Sequence, residues 1–423
     1  MNHQSFLFLQ GVATPFFSKL EEALAEKGHN VLRVNYCGGD WLFRKYASPK
    51  SEHLDYKGKL EDLPTFYQDL FHTRNITDIV LFGDTRPVHI SAVELAKQNN
   101  INVHVYEEGY FRPNWVTLDQ GGVNANSSLS KDPQWFLDYV KQNPNVLERS
   151  KTNKTSPVSI TVRAWHDIRY HLANLFLKPK YPHYTTHRPE KASKEYWGWI
   201  QRMPSLKFYY NSKSERMIKA LLDSNKPFYV LPLQLDADSQ IRVHSPIKSV
   251  TDVILTTLKS FADNASQDSV LVIKLHPFDP WFIDYPEVIR ETAKAYDIDE
   301  LRIMYIEAGN LVPLLNKANG TVVVNSTVGT LALTHNCPVI ALGSAIYDMK
   351  GLTFQGDLDD FWSNAKKPDT NLYNAFYSTL IELTQINGNF YNEVGMDLAV
   401  KNSLVHIDNL ANQAPQLSNQ GVD

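Results

Sequence analysis

The feature that most constrains this chain is a pattern of short apolar, β-branched runs alternating with amphipathic stretches, and the pattern occurs twice. In the first series Ser5–Gln10, Asn30–Tyr36, Asp78–Asp84 and Asn102–Gly109 read as strands, with helices predicted over Pro15–Gly28 and Arg86–Asn100. Phe16, Leu20 and Leu24 fall along one face of the first of those helices. In the second series the strands are Phe228–Leu235, Val270–Pro277, Arg302–Glu307, Thr321–Ser326 and Pro338–Gly343, each followed by a helical stretch. Continuous apolar strands separated by helices predict parallel sheets covered on both faces. The expected fold class is α/β, with two Rossmann-like domains facing a central cleft.

The expected partition is residues 1–210 as an N-terminal Rossmann-like domain with an insertion, 211–395 as a second Rossmann-like domain, and 396–423 as a helix and frayed tail. The helix near Asp397–Asn412 is expected to cross back to the first domain. Between the two series the periodicity weakens. Tyr110–Asp132, rich in Gly, Asn and Ser, reads as a functional loop, and Lys178–Tyr210 is crowded with Lys, His, Tyr, Trp and Pro.

Bulk properties remove several function classes. The formal net charge over 423 residues is −4, which argues against a nucleic-acid partner, since such proteins carry a broad basic excess. The two cysteines, Cys37 and Cys337, build neither a disulfide framework nor a CxxC metal site, so a reducing cytoplasm is the expected compartment. The first ten residues lack the basic start and long apolar run of a signal peptide. No stretch reaches the ~20 apolar residues that span a bilayer, so any membrane role is expected to be peripheral.

In open parallel sheets ligands bind beyond the carboxyl ends of the strands, and five polar clusters fall there. Gly11–Pro15 follows the first strand without a GxGxxG fingerprint, and is balanced between an anion-binding turn and a packing turn. Asp40, in Cys37–Asp40, and Asp84 with Arg86, in Gly83–Arg86, are candidates to bind hydroxyls or anions, against helix capping. Glu107 and Glu108 end a buried strand just before Arg112, where one desolvated carboxylate can become a general acid or base. The competing reading is a structural salt bridge to Arg112. Gln234–His244 packs Gln234, Asp238 and Arg242 behind the first strand of the second series, which suits a nucleophile or base beside an anion-steadying guanidinium. An Asx-type turn is the alternative. Lys274, His276 and Pro277 after one strand, and Ser326 with Thr327 after another, form a prospective phosphate site at a helix start. No HExxH, Walker A, nucleophile-elbow or EF-hand pattern is present, and no metal site is indicated.

Seven blocks taken in order resemble a known family. They are GDxRPxH at 83–89, EEGYxRPxWxT at 107–117, GGVNxNS at 121–127, LPLQxxxDSQIRxHS at 231–245, KxHP at 274–277, NSTVG at 325–329 and YDxxGLTxQG at 347–356. Together they are similar to the capsular polysaccharide KpsS/LipB group. The resemblance implies a GT-B-like retaining β-Kdo glycosyltransferase that uses CMP-Kdo and starts a short poly-Kdo linker on phosphatidylglycerol or its lyso form. It implies Asp238 as the catalytic carboxylate, Glu107 or Glu108 as acid/base toward the acceptor, and His276, Pro277, Ser326 and Thr327 as holders of CMP. Beside it, residue chemistry makes Gln234, Lys274 and Arg242 donor candidates, Arg242 for the Kdo carboxylate. Asp40, Asp84, Arg86 and Arg112 are the acceptor candidates.

On that resemblance the first domain takes the acceptor and the second the CMP-sugar, with no cofactor beyond the donor. The expected partners are a phosphatidylglycerol-type lipid, the inner face of the cytoplasmic membrane and other capsule biosynthesis and export proteins. Tyr196, Trp197 and Trp199 near Lys191, Lys194 and Arg202 are a prospective interfacial patch, weighed against core packing. The rival functions are a CMP-sialic acid transferase, an inverting transferase using Asp238 only as a base, a non-catalytic lipid-glycan carrier of capsule export, and a UDP-sugar epimerase.

Overall fold

The computed structural model describes residues 3–151, 154, 159–186, 192–236, 247 and 249–413. Asp238, Arg242, Lys191 and the tail from 414 onward therefore lie outside the described residues. The fold is α/β and GT-B-like in having two Rossmann-like units. One comprises residues 1–128, 148–187 and 380–423, the other 129–147 and 188–379. This division assigns 129–147 and 188–210 to the second unit and 380–395 to the first, where the sequence pattern suggests breaks at 210 and 395.

The first unit is built on strands β1 (Ser5–Phe8), β2 (Asn30–Asn35), β3 (Glu52–Asp55), β4 (Asp78–Phe82), β5 (Asn102–Glu108), β6 (Trp115–Gln120) and β12 (Gln385–Asn387), in the order β12-β6-β5-β4-β1-β2-β3. The five strands from β5 to β3 run parallel, whereas β6 pairs antiparallel with β5 and β12 antiparallel with β6. The segment 110–132 thus contains a strand as well as a loop. Its alternation in WVTLDQ is short and is masked by the Gly- and Asn-rich residues on either side.

Period-two alternation divides the core between the two faces of this sheet. Phe6 and Phe8 pack with Phe16, Leu20 and Leu24 of helix Phe16–Glu26 and with Met396 and Ile407 of the C-terminal helix Glu393–Gln413. Leu7 and Leu9 pack on the other side with Tyr67 and Leu70 of helix Leu63–Thr73 and Ala92 of helix Pro87–Gln98. A salt bridge is buried here as well: Arg33 Nη1 lies 2.8 Å from Glu21 Oε1, with both side chains almost fully enclosed.

The second unit holds β7 (Phe228–Pro232), β8 (Val270–Lys274), β9 (Ile303–Ile306), β10 (Gly320–Val323) and β11 (Val339–Ala341), all parallel, in the order β11-β10-β7-β8-β9. Leu231, Leu271 and Ile273 face helices Val250–Asn264 and Tyr285–Ala295, while Val230, Val270 and Val272 face helix Asn211–Ser224. In each sheet the chain order reverses at one place, between β1 and β4 in the first and between β7 and β10 in the second. At such a reversal neighbouring connections leave on opposite sides, and a crevice opens beyond the carboxyl ends.

Candidate functional site

In the first unit the reversal brings the ends of β1 and β4 together, and Gln10 occupies its centre. Gln10 is 1% exposed. Its Nε2 lies 3.4 Å from Asp40 Oδ2, 3.2 Å from the Tyr170 hydroxyl and 3.1 Å from the Tyr184 hydroxyl, while Arg86 Nη1 donates to its Oε1 at 3.3 Å. Arg86 also donates to the Gly11 carbonyl at 3.0 Å and lies over the Phe82 ring.

Asp40 is fully buried and accepts from the Tyr36 N–H at 3.0 Å and from the Tyr170 hydroxyl at 2.9 Å. Its carboxylate ties β2 to helix Ile160–Phe176. The glycines beside it serve packing: a Cβ on Gly38 would stand 2.1 Å from the Ala173 carbonyl oxygen, and one on Gly39 would stand 2.3 Å from the Tyr170 ring. Gly11 is a packing glycine too, since its Cβ would meet the Phe17 ring at 2.7 Å. Asp84 turns to the loop behind β6, with Oδ2 accepting from Asn126 Nδ2 at 2.8 Å and from the Val123 N–H at 3.4 Å.

Glu107 and Glu108 end β5. The Glu107 carboxyl lies beside the β4 turn, where a Cβ on Gly83 would come within 3.5 Å of its Oε2. Gly83 adopts φ +71°, a backbone that favours glycine. Burial pushes the Glu107 carboxyl up to about 7, reinforced by the adjacent Glu108 charge and opposed by Arg86 and Arg112. Glu108 is held in an ion pair instead: Arg163 Nη2 is 3.4 Å away and the Tyr391 hydroxyl donates to Oε1. Burial alone would raise Glu108, yet the Arg112 and Arg163 charges and the Tyr391 hydrogen bond hold it below the usual carboxylate range. The Arg112 Nε donates to the Gly109 carbonyl at 3.3 Å, and the Arg112–Pro113 peptide bond is cis.

In the second unit the reversal brings together the ends of β7 and β10. Gln234 Nε2 donates to Asn325 Oδ1 at 3.2 Å, and the Asn325 N–H lies 3.4 Å from Gln234 Oε1. Ser326 caps helix Thr327–Thr334, its hydroxyl accepting from the Val328 N–H at 3.1 Å, while Thr327 is the first helical residue. The Tyr347 hydroxyl donates to the Ser326 carbonyl at 2.7 Å, an approach that leaves no room for a side chain at Gly329.

Lys274 ends β8 and is 7% exposed; burial, and then the Arg202 charge, push its ammonium down to about 8. His276 Nδ1 accepts the Phe278 N–H at 3.0 Å, which leaves Nε2 as the N–H donor of the neutral ring. Arg202 is 2% exposed and donates to the carbonyls of His276 at 3.3 Å and Pro277 at 3.2 Å, and also to that of Asp279. It is a strut beneath the His–Pro turn, and the expected surface role for it is corrected. Trp199 stacks on Phe278 with ring centroids 5.2 Å apart, whereas Trp197 is exposed.

Sequence reasoning did not single out Gln10, Tyr170, Tyr184, Arg163 or Tyr391, and offered Arg202 beside a prospective interfacial patch weighed against core packing. Each makes its contact with a residue distant in the chain; Gln10 alone carried a local signal, as the first polar residue after the apolar run Phe6–Leu9. Among the described residues no group of three His, Cys, Asp or Glu side chains converges to hold a metal ion.

The fold and these strand-end clusters define a two-unit, GT-B-like α/β protein with polar residues gathered where each sheet reverses. The chain belongs to the capsule polysaccharide biosynthesis protein family, whose model matches residues 77–391. It is 35% identical over 394 residues to the capsule polysaccharide modification protein LipB of Neisseria meningitidis serogroup B, covering 92% of each chain. It is 34% identical over 391 residues to the capsule polysaccharide export protein KpsS of Escherichia coli, covering 92% of this chain and 98% of that one. Among solved structures, the β-Kdo 2,7 transferase of KpsC from Thermosulfurimonas dismutans aligns over 90% of this chain and 100% of its own, at 16% identity and a TM-score of 0.44.

Proposed function

We propose that this chain is a retaining glycosyltransferase that moves β-Kdo from CMP-Kdo to a phosphatidylglycerol-type lipid, starting the poly-Kdo linker of a capsular polysaccharide. The observation that carries the reading is the Glu107 carboxyl, poised at about 7 where the first sheet's strands end. A group that titrates near working pH is the efficient general base. Membership of the capsule family and the motif order that resembles Kdo transferases support the choice of sugar. No cofactor enters the reaction, and CMP-Kdo is its donor substrate.

The steps follow from the donor's chemistry. An Asp238 carboxylate oxygen bonds to the anomeric carbon as the bond from that carbon to the phosphate oxygen breaks, and the electron pair leaves with CMP. Ser326, Thr327, Lys274 and His276 are assigned to the departing phosphate, Gln234 to the donor's holding and Arg242 to the Kdo carboxylate. In the second step the acceptor hydroxyl gives its proton to Glu107 and bonds to the anomeric carbon as the Asp238 ester bond breaks. Two inversions retain configuration. Arg86 is assigned to the acceptor side beside Glu107, while Arg112 acts on both carboxyls through its charge. Asp40 and Asp84, both enclosed in internal hydrogen bonds, are assigned to shaping that side.

The reaction is assigned to the cytoplasmic face of the inner membrane, in company with other capsule biosynthesis and export proteins. The described residues contain no helix long and apolar enough to cross a membrane. The test is incubation with CMP-Kdo and a short-chain fluorescent phosphatidylglycerol, followed by mass spectrometry, beside Asp238→Ala. A product heavier by one Kdo, absent with the variant, is the expected result. The word export in the name of the Escherichia coli relative favours a second reading, a non-catalytic carrier of lipid-linked glycan. Binding of a Kdo-bearing lipid with no turnover by the wild type would select it.

A further inference from the structure

Helix Ile160–Phe176 has two apolar faces, and the fold covers one of them. Its inner face meets helix Gly38–Phe43, with Tyr170 stacked on Phe43 at 6.2 Å between ring centroids. On its outer face stand Trp165, Ile168, Leu172, Leu175 and Phe176, respectively 59%, 36%, 47%, 66% and 75% exposed. At 3.6 residues per turn these five fall within an arc of about 100° and run along roughly 16 Å of helix. Thr161 and Ala164 are exposed on the same side. An unbroken apolar stripe of this kind marks an interaction surface, because a solvated helix face is polar.

The charges left at its edge are cations. Residues 160–180 carry Arg163, Arg169, Lys178 and Lys180 against Asp167, in a chain whose net charge is −4. Arg163 stands on the opposite face beside Glu108 and Lys180 lies 2.6 Å from Asp55, which leaves Arg169 and Lys178 at the rim. Arg44 and Lys45, both exposed, follow the helix that packs beneath. Asp167 lies off the stripe, 3.6 Å from His171.

We propose that this stripe seats the chain on an anionic phospholipid bilayer. The apolar face enters the boundary between headgroups and acyl chains, and the cations at its rim meet lipid phosphates. The inference rests on, and deepens, the reading in which the acceptor is a phospholipid. The same helix supplies Tyr170 to the Gln10–Asp40 cluster and Arg163 to Glu108, so the docking element is also the roof of the strand ends assigned to the acceptor. A second copy of the chain fits less well. Five side chains of one helix give less than the ~800 Å² per partner of a stable interface, and a two-fold pairing would bring the cationic rims together.

The test is flotation of the full chain with vesicles of phosphatidylglycerol and phosphatidylethanolamine in equal parts, and with phosphatidylcholine vesicles. Wild type is compared with the triple variant Trp165→Ser, Leu172→Ser, Phe176→Ser, whose positions are all exposed. Wild type is expected to float with the phosphatidylglycerol vesicles, less so as salt rises, and the variant to lose at least about tenfold in binding. An unchanged circular-dichroism spectrum and a cooperative urea transition show that the variant is folded. Equal flotation of the variant overturns the proposal, as does absence of wild-type flotation, or a wild-type dimer that the triple change abolishes. Because flotation needs no turnover, docking without Kdo transfer sinks the proposed reaction and leaves the docking surface standing. Transfer to the short-chain acceptor without docking does the reverse.

Discussion

Glu107 and Glu108 are chain neighbours at the end of β5, and the fold drives their carboxyls in opposite directions. Burial holds Glu107 up at about 7, while Arg112, Arg163 and Tyr391 hold Glu108 below the ordinary range despite its burial. Successive side chains of a strand point to opposite faces. One step along the chain therefore separates a carboxyl suited to exchanging a proton from one fixed as an anion.

The two glutamates should separate in kinetics. Glu107→Gln is expected to lower kcat for Kdo transfer by ~10²–10⁴ and to remove the rise in rate toward neutral pH. Glu108→Gln removes the carboxylate that Arg163 and the Tyr391 hydroxyl meet, so it should lower the rate while keeping the limb that titrates near 7. Rates across the pH range for the three proteins decide it. Loss of the limb in Glu108→Gln alone would move the base to that residue.

Stability gives an independent reading of the same carboxyl. Glu107 titrates at about 7 in the folded chain against 4.5 in the free side chain, so between those values the native state holds a proton that the unfolded state has released. Its contribution is favourable at low pH and is lost as pH rises through that window. Glu107→Gln should therefore be more stable than wild type at pH above about 7, by up to about 3 kcal/mol, with the difference shrinking as pH falls toward the free value. Urea denaturation at both ends of the window measures it, and a pH-independent difference would remove burial as the cause.

Arg202 is expected to be a positioning residue for the His–Pro turn. Arg202→Ala strips donors from several buried carbonyls and should cost about 2–4 kcal/mol. Arg202→Lys keeps the charge and loses the planar fork, and should fall between. If CMP-Kdo affinity, read by calorimetry on folded Arg202→Lys, is unchanged, the strut has no bearing on donor binding.

Gly38→Ala tests the packing role of the CGGD segment. Its Cβ would stand 2.1 Å from a backbone oxygen of helix Ile160–Phe176, which cannot swing away as a side chain can. A loss of about 1–3 kcal/mol in urea denaturation is expected. A neutral substitution would reopen the ligand-binding reading of these glycines.

The parallel strands other than β3 were legible because each is an apolar run bounded by turn residues, and a strand buried on both faces must be written that way. Strands β3, β6 and β12 were not. They are three to six residues long; β3 and β12 are the sheet's two edges, and β6 pairs antiparallel with both β12 and β5. The candidate residues at the strand ends were legible for the same reason as the strands: where an apolar run stops, the next polar residue lies at the carboxyl edge. Their roles were not, because Asp40, Asp84 and Glu108 are turned inward by Tyr170, Asn126 and Arg163, which arrive from elsewhere in the chain.

The sequence by itself determined that this protein is α/β, that two series of parallel strands organise it, and that its polar chemistry gathers where those strands end. Alternation and strand length are local quantities, and local quantities are written in neighbouring residues. Only the tertiary structure decided which glutamate is poised and which is paired, that Arg202 is buried, and that helix Ile160–Phe176 keeps an apolar face uncovered. Those outcomes depend on desolvation and on charges brought together from distant parts of the chain, and only the folded chain sets these.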